Sequence, residues 1–166
     1  MICGTWNESC GDLLADENVE VLVHSCNCRG GANGLAGKIK AKFPNWYSEY
    51  RKYIDVDNEL AFGTSQLIPI QNPIGKQRFI ANVYGQLDTS RNVRMTNYEA
   101  IYTGLEHLKA QLTKMNMTAV PTIQTIGFPK NMGCALGGGN WRIVELMIRE
   151  VFEYTPFTVY IIDFKE

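Results

Sequence analysis

Two stretches of the chain limit its fold more than anything else in it. "NVEVLVHS" (18–25) and "PFTVYIIDF" (156–164) are apolar runs almost without interruption. A strand with one wet face alternates, whereas a strand buried on both faces does not. Both runs are too short for buried helices. They therefore predict interior strands of a sheet covered on each side, which is the setting of parallel α/β architectures.

The remaining elements fit that frame. Strands are expected at 1–7, 19–25, 64–70, 77–83, 120–128 and 157–162, each short and rich in β-branched or aromatic residues. A helix is expected over 96–115, where Tyr98, Ile101, Leu105, Leu108, Leu112 and Met115 recur in steps of three and four. Thr96 with Glu99 reads as its capping box. A second helix is expected after Asn140, burying Val144, Met147, Ile148, Val151 and Phe152. A third begins near Asn33 and runs through "LAGKIKAKF", where Pro44 is expected to end or kink it. The order β, β, α, β, β, α, β, α, β predicts a largely parallel or mixed sheet with helices on both faces. Ligands of such sheets bind beyond the carboxyl ends of the strands.

Composition narrows the function classes. The 166 residues suit one compact domain spanning 1–166. A net charge of −1 argues against broad electrostatic binding of nucleic acid. No apolar run approaches the roughly 20 residues of a membrane span, so no membrane partner is expected. "MICGTWNESCGDLL" has neither a basic start nor a long apolar core, so no secretory leader is expected and the cytoplasm is the expected compartment. The five cysteines are odd in number and suggest no disulfide framework. Cys26 and Cys28 lie near His24, yet they are not a C-x-x-C pair and no second pair with ligand spacing appears. Buried or loop thiols are the expectation, with no metal and no cofactor.

Glycine concentrates at two strand-to-helix turns. The first, "RGGANGLAG", follows the strand that ends His24-Ser25-Cys26-Asn27. The second, "PKNMGCALGGGNW", leads into the helix after Asn140. Glycine lets a ligand approach the backbone closely, and the following helix start offers unpaired N–H groups to a phosphate. Two such loops on one edge suit a pyrophosphate gripped from both sides. A dinucleotide fingerprint is the rival, but Gly31-x-x-Gly34-x-x-Gly37 has the wrong spacing. Asp55 and Asp57 lie at the distance of its ribose-binding acid, in "YIDVDNE", a poor strand.

Taken together, "GDLL" (11–14), "VLVHSCN", "GLAGKI", "NYEAI" and "GCALGGGNW" resemble the macrodomain family, in the right order over nearly the whole chain. The resemblance implies a three-layer α/β/α sandwich that binds ADP-ribose. It is closest to the branch of stand-alone ADP-ribose 1''-phosphate phosphatases. It implies that Asp12 accepts a hydrogen bond from the adenine amine and that Leu13 helps frame the base, with Ile162 to Phe164 against it. It places Asn27 on the distal ribose and Gly34, Leu35 and Ala36 around that ribose and its phosphate. It assigns the diphosphate to the amides of Gly133, Cys134, Ala135, Leu136, Gly137 and Gly138. His24 stands where most members have asparagine, and the branch implicates it, with Asn27, in catalysis; a histidine can pass a proton near neutral pH.

Another branch uses a lysine and an aspartate to remove ADP-ribose from glutamate. Those positions fall here near Gly85 or Gln86 and within "CALGGG", which holds no acid. Asp88, in "GQLDTSRN", reads as a solvated turn residue. The expected function is hydrolysis of ADP-ribose 1''-phosphate by a monomer. The alternatives are a hydrolase that takes ADP-ribose off modified protein or nucleic acid, and a non-catalytic ADP-ribose reader.

Overall fold

The structure is a computed structural model. It describes residues 5–70, 77–90, 92–118 and 122–165. Six strands form one sheet: β1 (Trp6–Cys10), β2 (Val21–Asn27), β3 (Ser65–Ile70), β4 (Arg78–Gln86), β5 (Thr125–Pro129) and β6 (Thr158–Asp163). Their spatial order is β1-β6-β5-β2-β4-β3. Every neighbouring pair is parallel except β3 with β4. The helices are α1 (Leu35–Lys42), α2 (Pro44–Val56), α3 (Asn58–Ala61), α4 (Tyr98–Asn116) and α5 (Trp141–Phe152). Among the described residues, no helix is long and apolar enough to cross a membrane.

The alternation of β2 divides its side chains between two apolar layers. Val21 and Val23 join Val83, Ile101, Leu105, Val144 and Ile148 under α4 and α5. Leu22 and Cys26 join Ile80, Tyr84, Ile39, Trp46 and Tyr50 under α1 and α2. This is the mixed, largely parallel sandwich that the uninterrupted apolar runs predict.

Several local expectations are corrected. The first strand runs over Trp6–Cys10 rather than 1–7, and residues 1–4 lie outside the described residues. The strand expected at 120–128 runs over Thr125–Pro129, with residues 119–121 outside the described residues. Pro44 does not merely end α1. It opens α2, because the first helical turn needs no N–H from proline and its fixed φ suits a helix start. Trp46, Tyr50 and Ile54 then bury one stripe of α2 against the sheet. At α4 the cap is Asn97, whose side chain accepts from Ala100 N. Thr96 donates instead to Gly133 O at 2.6 Å and ties this helix start to a distant loop. Asp55 lies in α2 and Asp57 caps α3, so neither occupies a ribose-binding strand end.

Candidate functional site

The sheet opens at one place. β2 pairs with β5 only at Val21–Ile126 and Leu22–Gly127, while on its other side it stays paired with β4 as far as Asn27. The carboxyl ends of β2 and β5 therefore part. The loop after β2 leads to α1 on one face and the loop after β5 leads to α5 on the other. Adjacent strands whose connections leave in opposite directions create the crevice in which open α/β sheets bind ligands.

Asn27 builds the first wall. Its Oδ1 accepts from Arg29 N, Gly31 N and Tyr50 Oη, and its Nδ2 donates to Gly31 O at 3.0 Å. The carboxamide oxygen is thus spent on the turn, and one Nδ2 hydrogen is left for a ligand. Three side chains of α2 brace the same turn. Tyr50 Oη donates to Asn27 O at 2.6 Å, Tyr47 Oη to Gly30 O at 3.0 Å, and Arg51 Nη1 to Arg29 O at 3.1 Å. These braces escaped the sequence reading because α2 itself did; the aromatic spacing of Trp46 and Tyr50 in "PNWYSEY" was the available signal. At the end of the loop Gly34 precedes α1 with φ 56° and ψ −127°, and no side chain caps the helix. Among the described residues, the amides of Leu35 and Ala36 donate to no protein acceptor.

The loop after β5 builds the second wall. Met95 N and Thr96 N both donate to Gly137 O, and Gly139 N donates to Gly133 O. A Cβ on Gly137 would run into Gln86 Nε2 and Thr96 Oγ1, so no side chain fits there without displacing them. The amides of Cys134 and Gly138 are used inside the loop, by Asn131 O and Ala135 O. Those of Ala135, Leu136 and Gly137 have no protein acceptor among the described residues, which makes them the donors available to an anion.

At the far end of the edge, Asp12 Oδ1 accepts from Leu14 N at 2.9 Å. One carboxylate oxygen thus caps a turn while the other stays available. The Leu13 and Ile162 side chains are buried in the core rather than lining the edge. The aromatic that faces solvent there is Phe164, 50% exposed, with Lys38 Nζ 3.9 Å above its ring.

His24 does not face the crevice. It shares a face of β2 with Leu22 and Cys26 and is 3% exposed. Its Nε2–H donates to Asn82 Oδ1 at 2.7 Å, the same oxygen that accepts from Trp46 Nε1 at 2.8 Å. Burial lowers its pKa to about 4, against the opposing pull of the Asn82 hydrogen bond. The ring is therefore neutral at physiological pH and engaged in a core network. That geometry fits a residue supporting β2 better than a proton carrier at the ligand. Burial also pushes up the Cys26 and Cys28 thiols, so neither is a ready nucleophile.

No family model matches the chain. Human ADP-ribose glycohydrolase OARD1 is 27% identical over 155 residues, covering 90% of this chain and 85% of the relative. The macrodomain of Mycobacterium tuberculosis DarG matches with a TM-score of 0.74 and 22% identity, over 95% of this chain and 97% of that one. Thermosipho africanus DarTG, solved in complex with ADP-ribose, matches with a TM-score of 0.76 and 22% identity, over 92% of this chain and 40% of that one. The chain has a macrodomain fold. Within this fold, the positions that resemble the lysine–aspartate pair of one branch carry neither group. Gly85 is closed in by Ile101 and Ser25, Gln86 packs against the second wall, and the stretch from Cys134 to Gly139 holds no acid.

Proposed function

We propose that this macrodomain binds ADP-ribose in the crevice between β2 and β5 and hydrolyses ADP-ribose 1''-phosphate. The observation that carries the proposal is the parting of the two strands beyond Leu22, with unpaired loop amides on each side. Amides of Ala135, Leu136 and Gly137 on one wall and of Leu35 and Ala36 on the other suit a diphosphate. Asp12 keeps one carboxylate oxygen for the adenine amine. In the reaction, water attacks the terminal phosphorus, its bond to the C1'' oxygen breaks, and ADP-ribose and inorganic phosphate leave. Such a step asks the protein mainly for positioning and charge stabilisation. Those tasks need no proton from His24.

A second reading, removal of ADP-ribose from a modified macromolecule, is supported by the likeness to the human glycohydrolase. It would need chemistry other than the lysine–aspartate pair. One experiment separates these. The protein is titrated with ADP-ribose by calorimetry, then assayed for phosphate release from ADP-ribose 1''-phosphate and for ADP-ribose release from ADP-ribosylated peptide. Binding with phosphate release supports the proposal. Binding with peptide turnover alone selects the second reading, and binding with neither leaves a reader. Absence of binding at millimolar ADP-ribose removes the crevice as its site.

A further inference from the structure

We infer that Arg29 reads the terminal phosphate of the ligand, exchanging Asp88 for it, an inference that rests on the ADP-ribose proposal above. The argument starts from the order of the strands. Asp12 follows β1 and Asp88 follows β4, which lie four strand positions apart in the sheet. At about 4.8 Å per position that is roughly 19 Å along the edge. A ligand with its adenine at Asp12 and its diphosphate in the β5–β2 crevice points its distal ribose at the loops after β2 and β4. Arg29 and Asp88 meet at that point.

The backbone of Arg29 cannot move freely. Its N–H donates to Asn27 Oδ1 and its carbonyl accepts from Arg51. Gly30 beside it is in the left-handed region, with φ 82° and its carbonyl held by Tyr47. The Arg29 side chain, by contrast, is 47% exposed and reaches Asp88 through one contact, Nη2 to Oδ2 at 3.3 Å. A braced turn thus presents a guanidinium on a short tether, loosely engaged. Among the described residues, other cations near these walls are occupied differently: Arg51 pairs with Asp55, Lys130 with Asp163, Lys40 lies over the Tyr47 ring and Arg94 stacks on the Tyr98 ring.

Exposed single-contact ion pairs are weak. A phosphate monoester near pH 7 carries about −1.5 to −2 charges and three acceptor oxygens, and the guanidinium fork matches it with two parallel hydrogen bonds. The exchange therefore favours a phosphorylated ligand. It gives nothing to unmodified ADP-ribose, whose distal ribose ends in hydroxyls. Asp88 supplies the opposite bias, since a carboxylate left beside a dianion repels it.

The test is competition against a fluorescent ADP-ribose probe, read on ice within minutes of mixing. ADP-ribose and ADP-ribose 1''-phosphate are each measured on wild type, Arg29→Gln and Asp88→Asn. Arg29→Gln is expected to weaken ADP-ribose 1''-phosphate about tenfold or more and to move ADP-ribose by less than about twofold. Asp88→Asn is expected to strengthen the phosphorylated ligand several-fold. An unchanged ratio of the two affinities in Arg29→Gln overturns the inference, as does equal weakening of both ligands, which would mark Arg29 as a brace of the turn. Failure of ADP-ribose itself to displace bound probe from wild type would overturn the crevice proposal, and this inference with it.

Discussion

Tyr50→Phe tests whether the first wall is positioned by the helix beneath it. The ring is fully buried and packs against Trp46, Tyr47 and Tyr84 at centroid distances of 5.3, 5.9 and 6.0 Å. Phenylalanine keeps those contacts and leaves no large cavity. What disappears is one hydroxyl, which donates to Asn27 O at 2.6 Å and lies 3.1 Å from Asn27 Oδ1. Asn27 Oδ1 still has Arg29 N and Gly31 N, so the loss falls on the carbonyl. The bond is only partly buried, so its removal costs about 0.5–1.5 kcal/mol. For a chain of this size each kcal/mol lowers Tm by about 2–4 °C. Urea unfolding should give the lower stability at unchanged m, and calorimetry should give weaker ADP-ribose binding because the turn that leads to Leu35 and Ala36 at the start of α1 loosens. A stability change below about 0.5 kcal/mol would show that the hydroxyl contributes nothing. Lost stability with unchanged affinity would refute the claim that α2 positions the wall.

Other expectations follow from the same geometry. His24 is depressed from 6.5 to about 4 by burial; the unfolded chain then binds the extra proton between those values, so stability rises with pH across this window and is lost as pH falls through it. NMR titration of its ring should show no protonation above about pH 5, and an ordinary midpoint near 6.5 would refute the buried network. Gly137→Ala should abolish ADP-ribose binding and cost about 1–3 kcal/mol, because the methyl displaces Gln86 and Thr96; a normal titration in the variant would refute the packing of the second wall. Asp12→Ala should weaken ADP-ribose about tenfold or more if its free oxygen meets the adenine amine, and equal affinity in the variant would remove that role.

Much of this was readable from local pattern. The uninterrupted run at β2 and the three-and-four spacing of α4 report burial directly, since each side chain's face follows from backbone geometry. The glycine loops were equally visible, because bare backbone at a strand end has few other uses. Less visible was anything set by a distant partner. Thr96 carries a cap motif, yet Gly133 claims its hydroxyl, and Asn97 caps the helix instead. Pro44 looked like a stop because proline disrupts helix interiors, while at the first turn it is a start.

The sequence by itself determined the class of fold, the two glycine walls and the resemblance to macrodomains, all properties of neighbouring residues and their spacing. Only the tertiary structure decided what those residues face. It turned His24 into the core, onto Asn82 and Trp46, residues far from it in the chain. It spent the Asn27 oxygen on its own turn and brought Tyr47, Tyr50 and Arg51 up to brace it. It parted β2 from β5 after Leu22 and set Arg29 against Asp88. These are contacts between elements, and a side chain's charge state, free hydrogens and reach depend on which partners the fold supplies.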